Sequence, residues 1–350
     1  MSGLVSSPDP RATRSHAADW LELMALRSGQ FPYRSSQYVS ALSMEDPDPE
    51  GNAEVDGDPE ILEGNFDDLL ERVTDEIRWR EQVLGDLYPF ELRMSGRGWN
   101  LRRRTEAVDS QIRTARNTYI ACLLMSAARH GRIPGIPSEL VSIKAVADAF
   151  QAAVYLVAPA FLGGGSFWMG FPRPEGDGYM DALRRLVDAV GVGIVSSTPP
   201  TSQKKNKDGG VDVVSWRRFP DGRSNLMMSY GQVATGKDWR EKSVANKFVS
   251  HFQRWFSVPP ATHYVPAMYI PHVMHEDIEG TPSSSFAEIS HDDAMTLEAS
   301  LGVVVDRIRL ASLVPVALQL REGRDASLMK HIRALARWKA SVAQKLGVAA

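Results

Sequence analysis

The sequence predicts an α/β (α+β) chain, with a mixed central sheet flanked by helices following a mostly helical N-terminal domain. Apolar residues recur every three to four positions through most of residues 1–160, the period of one buried helix face. Beyond them, short runs rich in Val, Ile, Tyr and Trp alternate with Gly-, Pro- and Asp-rich turns. Their order is helix, strand, strand, strand, helix, strand, which implies a sheet covered by helices. The 350 residues, 43% hydrophobic and 24% charged, suffice for about two globular domains. The expected division is a helical domain over 1–160 with a mobile acidic loop at 45–64, a sheet domain over 161–320, and a basic amphipathic helix over 321–350.

Taken in order, Trp20, Leu21, Met24 and Leu26 give the apolar face of a helix over Ala17–Arg27. Met44–Gly64 holds nine Asp and Glu and no Lys or Arg, too polar to pack, so a loop is expected. Asn65 caps a helix running to Leu87, with Leu69, Leu70, Val73 and Ile77 on one face. "YPFELRMSG" is extended, and Arg102, Arg103 and Arg104 precede a helix over Thr105–Arg129. A further helix covers Ser138–Leu156, and the Gly- and aromatic-rich "FLGGGSFWMGFP" marks the domain boundary.

Tyr179–Val190 is a short amphipathic helix, stopped by Gly191. Three strands follow, "VGIVSS", "VDVVSW" and "NLMMSYGQVA", the last two joined by the Pro-Asp-Gly turn of "FPDGRS". Then come a helix over Asp238–Trp255, the strand "HYVPAMYIPHV" and a helix between Asp292 and Leu313. In the last helix Leu328, Ile332, Leu335, Trp338 and Val342 share a face, and six Lys and Arg stand against one Asp from Arg324 onward.

A net charge of −3 excludes a uniformly basic nucleic-acid coat but not local patches. The lone Cys122 excludes an internal disulfide and a cysteine-cluster metal site, and in "TYIACLLMSAA" it reads as a core thiol. The start lacks the pattern of a signal peptide, and no uncharged apolar run approaches the ~20 residues of a membrane span. A cytoplasmic protein without membrane contact is expected.

The hairpin "KDGGVDVVSWRRFPDGRSNLMMSYGQVATGKDWR" sets Asp212 beside Gln232. A carboxylate and a neutral amide oxygen on one spot make half a cage for a hard cation such as Mg²⁺ or Mn²⁺, which polarises a phosphate and acidifies an attacking water. Lys237 is the nearest cation in sequence and would stabilise the charged transition state. A well-made hairpin whose aspartate merely caps a turn is the alternative. Asp208 competes for the carboxylate role, but it precedes both glycines and suits the turn.

Candidate phosphate contacts are Lys204, Lys205, Lys207, Arg217, Arg218 and Arg223 at the hairpin ends. Arg240, Lys242, Lys247 and Arg254 follow, interleaved with Trp239, Phe248 and Trp255. His263, His272, His275 and Glu276 lack the helical spacing of a zinc motif. Gly163–Gly165 lacks the Lys-Ser/Thr of a phosphate-binding loop and reads as a hinge, and no GxSxG elbow is present.

"DGGVDVVSW" followed by "GQVATGK" resembles the catalytic hairpin of the PD-(D/E)xK nuclease superfamily, in its Mrr-like restriction endonuclease branch, where Gln replaces the second acid. The resemblance spans roughly Phe161 to Leu313. It implies a restriction-endonuclease-like fold and a Mg²⁺-dependent deoxyribonuclease acting in bacterial restriction or anti-phage defence. It implies DNA as partner, and a homodimer or a partner protein of a defence system. By position Asp212 binds metal, Gln232 is the second ligand, and the preceding helix adds Asp181, with Glu175 the weaker candidate. The family lysine falls two residues after the glutamine, at Ala234 here, so Lys237 would have to reach back. The alternative is a catalytically impaired nucleic-acid-binding or adaptor subunit of the same fold.

Overall fold

The computed structural model describes residues 4–8, 12–29, 31–43, 59–96, 98–105, 109–173, 175–198, 209–223, 226–236, 238–242, 244–245, 249–274, 299–321 and 326–348. Its helices are α1 (Arg14–Arg27), α2 (Ser35–Ser43), α3 (Pro59–Leu84), α4 (Ser110–Arg129), α5 (Ser138–Val141), α6 (Ile143–Leu162), α7 (Tyr179–Val190), α8 (Val249–Gln253), α9 (Arg307–Arg321) and α10 (Ala326–Lys345). Its strands are β1 (Tyr33–Arg34), β2 (Phe90–Ser95), β3 (Gly98–Arg103), β4 (Gly165–Trp168), β5 (Ile194–Val195), β6 (Val213–Arg218), β7 (Leu226–Val233), β8 (Phe256–Val258), β9 (Val265–Tyr269) and β10 (Val303–Val305).

Local chemistry explains several boundaries. Side chains cap the helix starts that leave orphan N–H groups: Asp109 accepts from Gln111 N at 2.6 Å on α4, and Ser142 accepts from Ala145 N at 3.2 Å on α6. Gly191 ends α7 in the left-handed conformation with φ 71°, as expected of that glycine.

Other boundaries differ from expectation. α3 begins at Pro59 rather than after Asn65, because proline suits a first helical turn and nearby acids suit its positive end. Of the acidic loop expected at 45–64, residues 45–58 lie outside the described residues. The helix expected over Thr105–Arg129 starts at Ser110, and Arg102 and Arg103 ahead of it lie on β3, which pairs antiparallel with β2. Among the described residues, the helix expected over Asp238–Trp255 is a 3₁₀ turn at Trp239–Glu241, a π-helical pair at 244–245 and the short α8. Within the helix expected between Asp292 and Leu313, Val303–Val305 form a strand parallel to β9, since three consecutive valines suit a pleated, buried strand.

The central sheet has five strands in the order β10-β9-β7-β6-β4. β4, β6 and β7 are antiparallel neighbours, and β9 returns parallel to β7. β4 arises inside the stretch that reads as a domain boundary, whereas the "VGIVSS" strand pairs with β8 in a separate two-stranded sheet. The molecule is thus mixed α/β, with helices on both faces of a mixed sheet.

On one face Phe150, Val154, Val157 and Ala158 of α6 pack against Val213, Ala267, Tyr269 and Val305. Leu310 and Val314 of α9, and Cys122 and Met125 of α4, join the same cluster. The core therefore runs straight through residue 160. Burial pushes the Cys122 thiol up to about 12, leaving it protonated. On the other face Leu183, Leu186 and Val190 of α7 cover Val214, Trp216, Met228 and Tyr230. By length and composition α6 could cross a membrane, and 61% of that apolar stretch is buried inside the fold.

A buried polar cluster joins α1, α3, α4, α9 and the chain after β9. Arg80 donates to Asp19 Oδ1 and Glu76 Oε1 at 2.8 Å and to Glu22 Oε1 at 2.9 Å, while Arg307 holds Asp19 from α9. Beside it His16, His130 and His272 stack edge to face, with centroids 4.8 and 4.9 Å apart. Burial first, then nearby positive charge, lowers His16 to about 4. Burial, then His130 and Arg307, lowers His272 to about 3.

Unfolding releases histidines that bind protons near 6.5, which the folded state refuses until about 4 and about 3. Stability is therefore complete above about pH 6.5 and declines as pH falls below it. The melting temperature should drop between pH 7 and pH 4.5, and His272→Gln should flatten that slope. An unchanged slope in the variant would remove His272 as a cause.

Candidate functional site

β6 and β7 pair with Val213 opposite Gly231; Asp212 immediately precedes that pair on one strand and Gln232 follows it on the other. Asp212 is held on every side of its backbone. Its N–H donates to the Gly231 carbonyl at 2.9 Å, and its carbonyl accepts from Met169 and Gly170 N–H, each at 2.8 Å. Its Oδ2 accepts from Val233 N–H at 2.8 Å. The carboxylate thus replaces a ladder carbonyl where the hairpin opens, and its other oxygen, Oδ1, is turned toward Gly170.

Gly170 lies just after β4, where α6 passes. A methyl at that glycine would sit 2.9 Å from Asp212 Oδ1 and 3.2 Å from Gln151 Oε1. Two oxygens from segments 61 positions apart therefore converge on one point, and only a residue without a side chain leaves it open. Gln151 Nε2 donates to the Phe171 carbonyl at 3.4 Å, which sets the amide's rotation and aims Oε1 inward. Trp168 Nε1 donates to the Gly170 carbonyl at 2.8 Å and Arg173 to the Met169 carbonyl at 3.0 Å, pinning this loop.

Among the described residues, the buried Oε1 atoms of Gln151 and Gln232 have no hydrogen-bond partner. A buried unsatisfied carbonyl costs roughly 1–3 kcal/mol, so each of these two amide oxygens calls for an explanation. All three groups offer hard oxygens, which fits Mg²⁺ or Mn²⁺ with water and substrate completing the shell. One turn before Gln151, Asp148 pairs with Lys144 on α6.

The other expected site residues are dispersed. Asp181 pairs with Arg184 at 2.6 Å on the exposed first turn of α7, and Glu175 pairs with Arg185 at 3.1 Å. Arg217 and Arg218 end β6, about 17 and 20 Å along the strand from Asp212. Arg217 is exposed, and Arg218 donates to the Val190 carbonyl. Arg223 pairs with Asp221 in the turn. Arg240 stacks on Trp239 at 4.4 Å, and Lys242 pairs with Asp238 at 3.1 Å, both just beyond the Gln232 end of β7. The Lys242 hydrogen bond lowers Asp238 below the usual carboxylate range.

Lys204, Lys205, Lys207, Asp208, Lys237, Lys247, His275 and Glu276 lie outside the described residues. His272 sits in the core against Ser126 Oγ at 3.0 Å, and no three-membered His/Cys/Asp/Glu group exists among the described residues. Ala234 is buried with Trp239, Met268, Ile270, Leu301 and Val304.

Sequence reasoning missed Gln151, Gly170 and Arg129. Arg129, in the last turn of α4, donates to the Thr235 carbonyl at 3.3 Å and brings a cation to the segment after Gln232. Gln151 is a polar residue facing the sheet end from a mostly apolar helix, the local signal that could have found it. No protein-family model, curated protein or solved structure matches this chain.

Proposed function

We propose that Asp212, Gln151 and Gln232 hold one divalent metal ion in a restriction-endonuclease-like deoxyribonuclease of the PD-(D/E)xK type. The observation carrying this reading is the convergence of Asp212 Oδ1 and Gln151 Oε1 over Gly170, at the hairpin end that also bears the orphaned Gln232 Oε1. The topology supports it: α6 precedes an antiparallel β4–β6–β7 meander, α8 crosses over, and β9 returns parallel to β7. Bound there, Mg²⁺ would polarise the phosphate and acidify a water. Asp212 supplies the charge that attracts the cation, and the two amides orient it without neutralising it. Arg129, Arg240 and Lys242 lie where DNA phosphates would approach. A role in bacterial defence, as a homodimer or with a partner protein, follows from the family likeness alone.

Purified protein should cut plasmid or linear DNA only with Mg²⁺ or Mn²⁺. Asp212→Asn keeps an acceptor for Val233 N–H but removes the charge. It should lower cleavage at least about a hundredfold, because several kcal/mol of charge stabilisation are lost. Metal-independent cleavage, or full activity in the variant, would sink the proposal.

A second reading, a non-cleaving DNA-binding or adaptor subunit, is favoured by Ala234. The family lysine position is filled by a methyl inside an apolar cluster that would not accept an ammonium. It predicts DNA retention without cleavage of any DNA or RNA under the same conditions.

A further inference from the structure

We propose that the arginine-lined cavity on the β2–β3 hairpin binds a phosphate-bearing anion, at a site separate from Asp212 and independent of the nuclease reading. The cavity measures about 160 Å³ and is lined by Glu91, Arg93, Arg102, Arg103, Arg104 and Thr105. That is room for one or two phosphoryl groups, at roughly 30 Å³ for each displaced water. The "RRR" run, read along the chain, has no evident purpose. Paired as β3 against β2, it sets Arg102 opposite Glu91 and Arg103 opposite Phe90 and gathers the guanidinium groups around one concavity.

Guanidinium forks match phosphate oxygens two at a time, and these forks are held in advance. Glu91 grips Arg93 at 2.8 Å and Arg102 at 2.6 Å. Arg104 bonds Glu81 at 2.5 Å and the Phe90 carbonyl at 2.8 Å. Side chains ordered beforehand lose less freedom when a ligand arrives.

The second observation is a half-buried amine beside this cluster. Lys339 of α10 donates to the neutral Asn117 Oδ1 at 2.6 Å. Burial, then the Arg103 charge, pulls its pKa down to about 8. Burial also lowers Arg103 itself. Among the described residues Arg93, Arg102 and Arg104 pair with Glu81, Asp86 and Glu91, while the like charges of Arg103 and Lys339 repel each other. Half-burying two like charges lowers stability, and natural chains keep such costs where function needs them. An anion in the cavity would relieve both the repulsion and the lost hydration.

The test uses the full chain, without added metal, and pyrophosphate or inorganic phosphate as the probe, against chloride at matched ionic strength. Calorimetry and thermal melts would compare wild type with Arg103→Gln, Lys339→Met and Asp212→Asn. Expected are saturable pyrophosphate binding with a rise in melting temperature in wild type and in Asp212→Asn, and at least tenfold weaker binding in the other two. Unliganded Lys339→Met should melt at or above wild type, which separates a binding role from a structural one. A pyrophosphate response no larger than that of chloride would overturn the proposal. So would undiminished binding in Arg103→Gln and Lys339→Met, or loss of binding in Asp212→Asn. Loss of duplex DNA retention in the two variants, with pyrophosphate neither binding nor competing, would overturn it in favour of a nucleic-acid contact.

Discussion

Arg80→Ala is expected to destabilise the protein by about 3–5 kcal/mol, the usual cost of removing one partner of a buried ion pair. Arg80 is fully buried on α3 and serves Asp19, Glu22 and Glu76 together with the Ser15 carbonyl at 3.1 Å. Arg307 remains for Asp19, but the Arg80 ion pairs with Glu22 and Glu76 would be lost. The Tyr88 and Tyr119 hydroxyls each donate to Glu22 Oε1 at 2.7 Å, and two neutral donors do not replace a guanidinium.

The direction is visible in Asp19. Burial alone would raise its pKa, yet Arg307 and Arg80 overcome that and hold it well below the ordinary carboxylate range. That contribution is present at neutral pH and is lost as acid protonates the carboxylate. Urea unfolding measures the effect directly. A double variant, Arg80→Ala with Glu22→Gln, should recover part of the loss, because it removes one stranded charge. A single-variant loss below about 1 kcal/mol, typical of an exposed pair, would show that the cluster does not work this way.

Gly170→Ala is expected to abolish metal binding at the candidate site while leaving the fold intact. The glycine has no left-handed backbone requirement, so alanine brings no conformational strain. Its methyl would stand 2.9 Å from Asp212 Oδ1, 3.2 Å from Gln151 Oε1 and 3.3 Å from Asp212 Cβ, on the point the two oxygens share. Relaxing such crowding typically costs 1–3 kcal/mol and moves the oxygens apart, which a cation demanding near-ideal octahedral geometry does not tolerate. Cleavage should fall by about a hundredfold or more. The metal-induced rise in melting temperature should vanish, and circular dichroism should match wild type. Wild-type metal response in Gly170→Ala would remove this point as the metal position, whether or not the protein cuts DNA.

The sequence alone determined the parts that depend on neighbours along the chain. Two apolar runs and the Pro-Asp-Gly turn between them specify the β6–β7 hairpin, whose open end carries Asp212 and Gln232. Gly191 and the amphipathic pattern before it specify α7. The tertiary structure decided everything that joins distant segments. β4 is a strand because β6 offers it a partner, although its own residues read as a break. Val303–Val305 extend because β9 pairs with them, overriding the helical pattern around them. The family resemblance assigns the acid of the helix preceding the hairpin to Asp181. Both α6 and α7 pack on the hairpin, and it is α6 that brings Gln151 to Asp212, while Asp181 of α7 stays with Arg184 at the surface. Periodicity records which face of an element is apolar, but not which element covers it. Packing makes that choice, and so it selected Gln151 at the candidate site and brought Lys339 toward the arginines of β3.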